Sequence, residues 1–187
     1  MSTEFCEKYF ARLRAQLDAF DTAAFAKILD LLLDAQAHQR QVFVFGNGGS
    51  AAAASHFVAD INKGVSLGLA KRFRMTCLND NIPIMLAYAN DVSYDEIFVG
   101  QLQNFLDEGD LVIGYSGSGN SKNVLKAVDY ARTHKAKTVG VSGFDGGKLA
   151  KLVDVALVTP VNDMQNVEDM QSVINHLLMR GLMERLG

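Results

Sequence analysis

Four side chains that can bind or release protons lie at helical spacing in two parts of the sequence. His56 and Asp60 are four positions apart, so a helix would carry them on one face. Glu168 and His176 are eight positions apart and again fall close to one face. Two imidazoles and two carboxylates can ligate a divalent ion such as zinc, or act as general acid and base. The alternative is structural: His56 bonds to a carbonyl group, the two carboxylates lie on solvated helix faces, and His176 is a polar residue near the end of an otherwise apolar stripe.

Two turns rich in glycine and serine each follow an apolar strand and precede a helix. The first comprises Gly46, Asn47, Gly48, Gly49 and Ser50, and the second comprises Ser116, Gly117, Ser118, Gly119, Asn120 and Ser121. Glycine lets backbone N–H groups approach a ligand, a helix N-terminus adds partial positive charge, and serine hydroxyls add donors. The pair therefore predicts one anion site, with a phosphorylated ligand held between the turns. Alternatively, each turn only lets a strand meet a helix closely.

The serines differ in the role that their positions favour. Ser116, Ser118 and Ser121 surround a predicted helix start and are the better phosphate contacts. Asn47 and Ser50 could equally contact hydroxyl groups of the ligand. Neither turn ends in the Gly-Lys-Ser/Thr of a P-loop, and neither has the dinucleotide-binding spacing, so no nucleotide cofactor is expected.

Composition narrows the class of protein. The chain has 187 residues, of which 49% are hydrophobic and 21% charged, which is typical of one globular domain. A net charge of -3 offers no general attraction to nucleic acid or to acidic membranes. Cys6 and Cys77 lack metal-type spacing and are expected to be free thiols in a reducing compartment. With no signal peptide and no apolar run of membrane-spanning length, a cytoplasmic protein is expected.

Hydrophobic periodicity predicts short apolar strands that alternate with helices. Helices are predicted over residues 3–20, from Asp21 or Thr22 through Leu33, and over 49–62, 82–89, 121–134 and about 164–186; strands are predicted over 42–45, 75–78, 111–115, 138–141 and 155–158. Ser93 and Glu96 have the spacing of a capping box ahead of a further helix that holds Ile97, Leu102 and Leu106.

This alternation predicts an α/β fold, a three-layer αβα sandwich with a central, mainly parallel five-stranded sheet of the flavodoxin-like or Rossmann-like kind. A pair of N-terminal helices over residues 1–38 precedes an α/β core over 39–187, in one domain spanning 1–187. Ligands bind such sheets beyond the carboxyl ends of the strands, where both Ser/Gly turns lie.

Three smaller features have structural interpretations that require no chemistry. Asn90 and Asp91 follow a short predicted helix and, taken alone, indicate a turn. The basic segment at residues 71–74 is expected to be a solvated edge, or alternatively a contact with a partner subunit. His38 and His134 lie near helix ends, where they interact favourably with the helix dipole.

The first turn with His56-Phe57 downstream, together with the second turn, resembles the sugar isomerase (SIS) domain superfamily. Within it the chain is most similar to the sedoheptulose 7-phosphate isomerases, also called phosphoheptose isomerases. The similarity runs over nearly the whole chain. The first turn with its downstream histidine is the specific signal, whereas the second turn alone marks only the superfamily.

The resemblance implies a cytoplasmic aldose–ketose isomerase. It would convert sedoheptulose 7-phosphate to D-glycero-D-manno-heptose 7-phosphate through an enediol(ate), in heptose biosynthesis for lipopolysaccharide precursors. Asp60 would remove the proton between C1 and C2, and His176 would assist from the other side. The implied substrate contacts are Asn47, Gly48, Gly49, Ser50, Asn90, Asp91, Ser116, Gly117, Ser118, Ser121 and Glu168. One zinc ion per subunit would be held by His56, Asp60, Glu168 and His176, in a homotetramer with sites at subunit boundaries.

Three positions depart from the family pattern. The family usually has glutamate where this chain has Asp60, glutamine where it has Glu168, and often a hydroxyl where it has Gly117. These departures keep two further hypotheses open. One is a non-catalytic SIS protein that binds the replication initiator DnaA or senses a sugar phosphate. The other is an isomerase of a smaller phosphosugar.

Overall fold

The structure is a computed structural model that describes residues 3–187. Helices and strands alternate along this part of the chain. In chain order they are α1 (Thr3–Asp18), α2 (Thr22–Ala37), β1 (Gln41–Phe45), α3 (Gly49–Ala59), β2 (Arg74–Cys77), α4 (Ile82–Asp91), α5 (Val99–Phe105), β3 (Leu111–Ser116), α6 (Lys122–Thr133), β4 (Lys137–Gly143), α7 (Leu149–Leu152), β5 (Val155–Thr159) and α8 (Met164–Leu186).

The strands form one parallel sheet in the order β2-β1-β3-β4-β5. All six residues of β3 are buried, because this central strand is covered on both faces. Val44 and Ile113 pack with apolar residues of α2, α3 and α8, whereas Phe43 and Val112 pack with those of α5 and α6. The predicted three-layer sandwich is confirmed, and the carboxyl ends of the strands meet at one edge.

The two N-terminal helices attach differently. In α2, Ile28 and Leu32 are fully buried, and the Asp21 carboxylate caps the helix by accepting N–H bonds of 3.0 and 2.9 Å. Helix α1 is mostly exposed and contacts α8 through a hydrogen bond from Tyr9 to Asp169. That carboxylate raises the pKa of Tyr9, so the phenol stays a donor.

The helix predicted to run through Asn62 departs from α-helical geometry earlier. It ends at Ala59 and continues as a π-helical turn over Asp60–Val65. The Ser66 N–H donates to the carbonyl of Ile61, five residues back, at 3.0 Å. The side chain of Asn62 donates to Met75 O at 2.8 Å and accepts from Met75 N at 3.3 Å. The turn is thereby tied to the edge strand β2.

The prediction of a capping box was wrong. The Ser93 hydroxyl accepts from the Asp95 N–H at 3.2 Å and begins a single 3-10 turn, Tyr94–Glu96. The Glu96 carboxylate pairs with Lys126 of α6 instead of reaching back to Ser93. The helix starts only at Val99, and the short α7 was not predicted.

The basic segment is not simply a solvated edge, because it caps the C-terminus of α2. Lys71 donates to Ala37 O at 3.1 Å, and Arg74 donates to Gln39 O at 2.9 Å. His38 and His134 are the C-cap residues of α2 and α6, as their positions predicted. Across residues 3–187, no helix combines the length and apolar character needed to cross a membrane.

Candidate active site

The two Ser/Gly turns open into one cavity of about 240 Å³, called the cradle here. Strands β1 and β3 are parallel neighbours, so the turns that follow them emerge side by side. The cradle is lined by Asn47, Gly48, Gly49, Ser50, Ser116, Gly117, Ser118, Ser121, Met164 and Glu168. The structure thus brings together most of the residues predicted to contact a substrate.

Three serines present hydroxyl groups near the start of α6. The hydroxyl of Ser116 donates to that of Ser121 at 3.1 Å, and Ser121 is the N-cap residue of the helix. The Ser118 hydroxyl accepts from the Asn120 N–H at 3.2 Å. Hydroxyl donors beside a helix N-terminus suit an anion such as phosphate.

Ser50 is engaged differently from those three serines. Its side chain is 4% exposed, and its hydroxyl donates to Gln171 Oε1 at 3.1 Å. Gln171 Nε2 lies 3.0 Å from the same hydroxyl. Ser50 therefore joins α3 to α8 rather than leaving its hydroxyl free for a ligand.

Two glycines let α8 form the third wall of the cradle. A Cβ at Gly117 would collide with the sulfur of Met164, and a Cβ at Gly49 would collide with the carboxylate of Glu168. Met164 and Glu168 are one helical turn apart, so a single face of α8 closes the cradle. Glu168 therefore adds a negative charge to a cavity that otherwise suits an anion.

A second cavity of about 190 Å³ adjoins the cradle and shares Asn47 and Gly48 with it. Asn79, just beyond β2, lines it and holds the first turn: it accepts from Gly46 N at 3.1 Å and donates to Gly46 O at 2.9 Å. Sequence reasoning missed Asn79, although an asparagine directly after a predicted strand was an available signal.

A separate cluster forms around Asp60. Its Oδ2 atom lies 3.4 Å from Nε2 of His56 and 3.7 Å from Nε2 of His176. The Asp60 side chain is 20% exposed, and its Oδ2 is buried with no hydrogen-bond partner among the described residues. Both imidazoles are about half exposed, so solvent or a ligand can reach them.

The cluster depends on how α3 and α8 are held side by side. The Tyr115 hydroxyl donates to Asn175 Oδ1 at 2.6 Å, and Asn175 Nδ2 donates to Ala53 O at 2.9 Å. Complete burial raises the pKa of Tyr115, so its hydroxyl remains protonated as the donor. This chain of bonds fixes α8 to β3 and to α3. The π-helical turn begins at Asp60, and π-helical turns in proteins are frequent at functional sites.

Some predicted site residues lie elsewhere. The Glu168 carboxylate lies against Gly49 in the cradle and is not part of the metal-type group of His56, Asp60 and His176. The expected group of four ligands is therefore not assembled in this structure, because the Glu168 carboxylate lies against Gly49 instead.

Asn90 and Asp91 do not line the cradle or the adjoining cavity. They are exposed at the end of α4 and bond to each other at 2.7 Å. The predicted substrate contact at these two residues is therefore not formed by the cradle of the same chain.

The donor set of the cluster fits a zinc ion. The candidate ligand atoms of His56, Asp60 and His176 lie within 4.8 Å of one another, and two imidazoles with a carboxylate are ligands that zinc takes in catalytic sites. A buried carboxylate oxygen without a hydrogen bond is otherwise costly. The same three groups can also act as acid and base without a metal.

Comparisons with known proteins find phosphoheptose isomerases both by sequence and by structure. The sequence matches the SIS domain over residues 5–143. It is 37% identical over 155 residues to the phosphoheptose isomerase of Helicobacter pylori (strain ATCC 700392 / 26695), covering 83% of this chain and 80% of that protein. It is 34% identical to that of Helicobacter hepaticus, covering 95% and 91%. The structure of phosphoheptose isomerase from Neisseria gonorrhoeae matches with a TM-score of 0.88 at 26% identity, covering 96% of this chain and 97% of that chain.

Proposed function

The chain belongs to the SIS domain family and, within it, to the phosphoheptose isomerases, and on this premise we propose that it interconverts sedoheptulose 7-phosphate and D-glycero-D-manno-heptose 7-phosphate. The observation that carries the proposal is the cradle formed by both turns on a chain whose Asp60 carboxylate faces two imidazoles. An anion site and an acid–base group are the two parts that isomerisation of a phosphosugar needs.

The cradle binds the phosphate. Hydroxyl groups of Ser116, Ser118 and Ser121 and the N-terminus of α6 supply donors and partial positive charge to its oxygens. Asn47 and Gly48, which line both cavities, contact the sugar beyond the phosphate. Binding at the phosphate end holds the carbon chain for proton transfer at its other end.

The proton moves between C2 and C1. In the aldose, the Asp60 carboxylate removes the proton from C2, and the electron pair forms the C1–C2 double bond of an enediol(ate). His176, whose Nε2 lies 3.7 Å from Oδ2 of Asp60, donates a proton to the O1 atom that becomes negative. Asp60 then returns the proton to C1 while His176 takes the O2 proton, which forms the C2 carbonyl of the ketose and restores both side chains. The side chain of Asp60 is one methylene shorter than that of glutamate, so its carboxylate must be positioned accurately relative to the C2 proton.

A zinc ion at His56, Asp60 and His176 would act as a Lewis acid that polarises the substrate oxygens. We propose one such ion per subunit. The buried, unpartnered Oδ2 atom of Asp60 supports this assignment.

We also propose a homotetramer with sites at subunit boundaries. The lining of the cradle does not include Asp60, and helix α4 has an apolar sequence but no buried residue. Leu177 and Met183 are exposed beside a groove of about 680 Å³ between α2 and α8. Apolar surface of this kind suits contact with other copies of the chain.

The free thiols Cys6 and Cys77 support a reducing, cytoplasmic location.

One experiment tests the proposed reaction against its alternatives. The protein is incubated in deuterated water with sedoheptulose 7-phosphate and with five- and six-carbon sugar phosphates, and proton exchange at C1 and C2 is followed by NMR. Exchange with the heptose phosphate above all others is the expected result. Faster exchange with a shorter sugar would assign a different substrate. Binding without exchange would identify a sugar-phosphate sensor.

A further inference from the structure

One buried asparagine joins the first turn of the cradle to helix α6, which follows the second turn. Asn123, in the first turn of α6, is 2% exposed. Its amide faces that of Asn47, which belongs to the first Ser/Gly turn, and the two amides exchange a pair of hydrogen bonds of 2.9 Å each. Asn47 Nδ2 donates in one bond, and Asn123 Nδ2 donates in the other. These two hydrogen bonds therefore fix the position of the first Ser/Gly turn relative to the start of α6.

A backbone group decides which way both amides face. An asparagine amide can be turned by 180° without changing its shape, so its partners determine which end is oxygen. The N–H of Val124 points at the Asn123 side chain at 2.9 Å, and an N–H can only donate. The atom it meets must be Oδ1 of Asn123. Nδ2 of Asn123 then faces Asn47 as a donor, so the Asn47 atom opposite must be the oxygen.

Tyr94 completes the arrangement. Its hydroxyl donates to the same Asn47 oxygen at 2.9 Å, so this carbonyl accepts two hydrogen bonds. An amide oxygen has two lone pairs, and both are used. Of the two N–H groups on Asn47 Nδ2, one is bound to Asn123. The group that Asn47 has left for a ligand is an N–H donor.

We propose that Asn123 is a positioning residue that fixes Asn47 as a hydrogen-bond donor toward the substrate. The ligand atom that meets Asn47 must then be an oxygen that accepts, such as a sugar hydroxyl or an enediolate oxygen. This inference rests on the proposed function, because it takes Asn47 to be a substrate contact. Asn123 itself does not line the cradle and acts through Asn47.

The substitution Asn123→Asp tests the role with little change of shape. The carboxylate still accepts from Val124 and from Asn47 Nδ2, but it cannot donate to the Asn47 oxygen. We expect kcat/KM for sedoheptulose 7-phosphate to fall by about tenfold, the effect of losing one of the two hydrogen bonds that the Asn47 oxygen accepts. The Kd for inorganic phosphate measures the separate effect of the added negative charge near the cradle, and it should rise by a smaller factor than kcat/KM falls. Asn104→Asp, at an exposed position on α5, is the matched control.

A double-mutant cycle separates positioning from a general structural effect. In the Asn47→Ala background, Asn123→Asp should lower kcat/KM only by the factor by which it raises the Kd for inorganic phosphate, since its target is gone. If the two losses multiply instead, the proposal is overturned. Tyr94→Phe provides a second variant at a surface residue and should behave in the same non-additive way.

The cycle is also measured as Kd for sedoheptulose 7-phosphate. A wild-type protein that binds this sugar without turnover would refute the isomerase function alone. The coupling between Asn47 and Asn123 would then still be measured from the Kd values of the single and double variants. If the two substitutions weaken binding by independent factors that multiply, the positioning role is overturned.

Discussion

Nε2 of His176 lies 3.7 Å from Oδ2 of Asp60, although one residue belongs to the last helix and the other to a π-helical turn in the first half of the chain. The two meet because α8 is tied to α3 by buried hydrogen bonds rather than by local sequence. A carboxylate oxygen that faces imidazole in this way can accept a proton or bind a metal ion.

Asp60→Asn and His176→Ala should each lower isomerisation of sedoheptulose 7-phosphate by about 10²–10⁴-fold, the range for loss of a general acid or base. The Kd for inorganic phosphate should stay near the wild-type value, because neither residue lines the cradle. Turnover assays and calorimetric titration measure the two effects. Full activity in both variants would contradict the assigned roles.

Zinc binding should depend on the cluster. Titration calorimetry should give one zinc ion per chain, and His56→Ala should weaken its affinity by more than about tenfold, because a ligand is lost. His134→Ala is a suitable control, since that imidazole caps α6 through a 2.8 Å contact with Tyr130 O. Equal zinc affinity in both variants would argue against a metal site.

Subunit mixing tests whether two chains share one active site. Asp60→Asn retains its cradle, and a Ser118→Ala/Ser121→Ala variant retains its Asp60 cluster. If the cradle of one chain works with the cluster of another, co-refolding equal amounts should restore about a quarter of the wild-type activity, the statistical share of sites with both intact parts. No recovery would locate cradle and cluster in the same chain.

Removing the charge of Glu168 should strengthen anion binding. Its carboxylate lies against Gly49 in the cradle, where it repels a bound phosphate. We expect Glu168→Gln to lower the Kd for inorganic phosphate by about tenfold, which corresponds to roughly 1.4 kcal/mol. Glu7→Gln, at an exposed position on α1, controls for net charge. An unchanged or higher Kd in Glu168→Gln would mean that the carboxylate assists phosphate binding.

Two glycines that both have positive φ should respond unequally to alanine. Gly119 has φ +65°, and a Cβ there would lie 2.6 Å from the carbonyl carbon of Gly146. Gly48 has φ +55° and nothing within 4 Å of the Cβ position. In urea denaturation Gly48→Ala should cost about 1 kcal/mol for its left-handed backbone, and Gly119→Ala about 1–3 kcal/mol more for the clash. Equal losses in the free energy of unfolding would show that the loop at Gly146 moves to accommodate the added methyl group without cost.

Much of the fold follows from local patterns. The bounds of α8 agree with the prediction, and Ser121 and His134 flank α6 as expected, because apolar periodicity and capping are properties of neighbouring residues. The two turns meet in one cavity because parallel strands end at the same edge. Predicting that the two turns meet needed only the order of strands and helices along the chain.

The remainder depends on contacts between distant segments. The π-helical turn at Asp60 is secured by Asn62 bonding to β2, which periodicity within one helix cannot reveal. Asn123 has a polar side chain in a helix, and only its partner Asn47 gives it a role. Glu168 lies beside Gly49 because two helices pack closely, a contact that its helical spacing from His176 does not reveal.

The bond between Asn62 and Met75 has a consequence for aggregation. In a parallel sheet, the outward N–H and C=O groups of an edge strand can recruit a strand from another molecule. Here an amide side chain mimics that incoming strand and occupies both groups of Met75. The same contact that secures the turn bearing Asp60 therefore blocks the addition of a foreign strand at Met75.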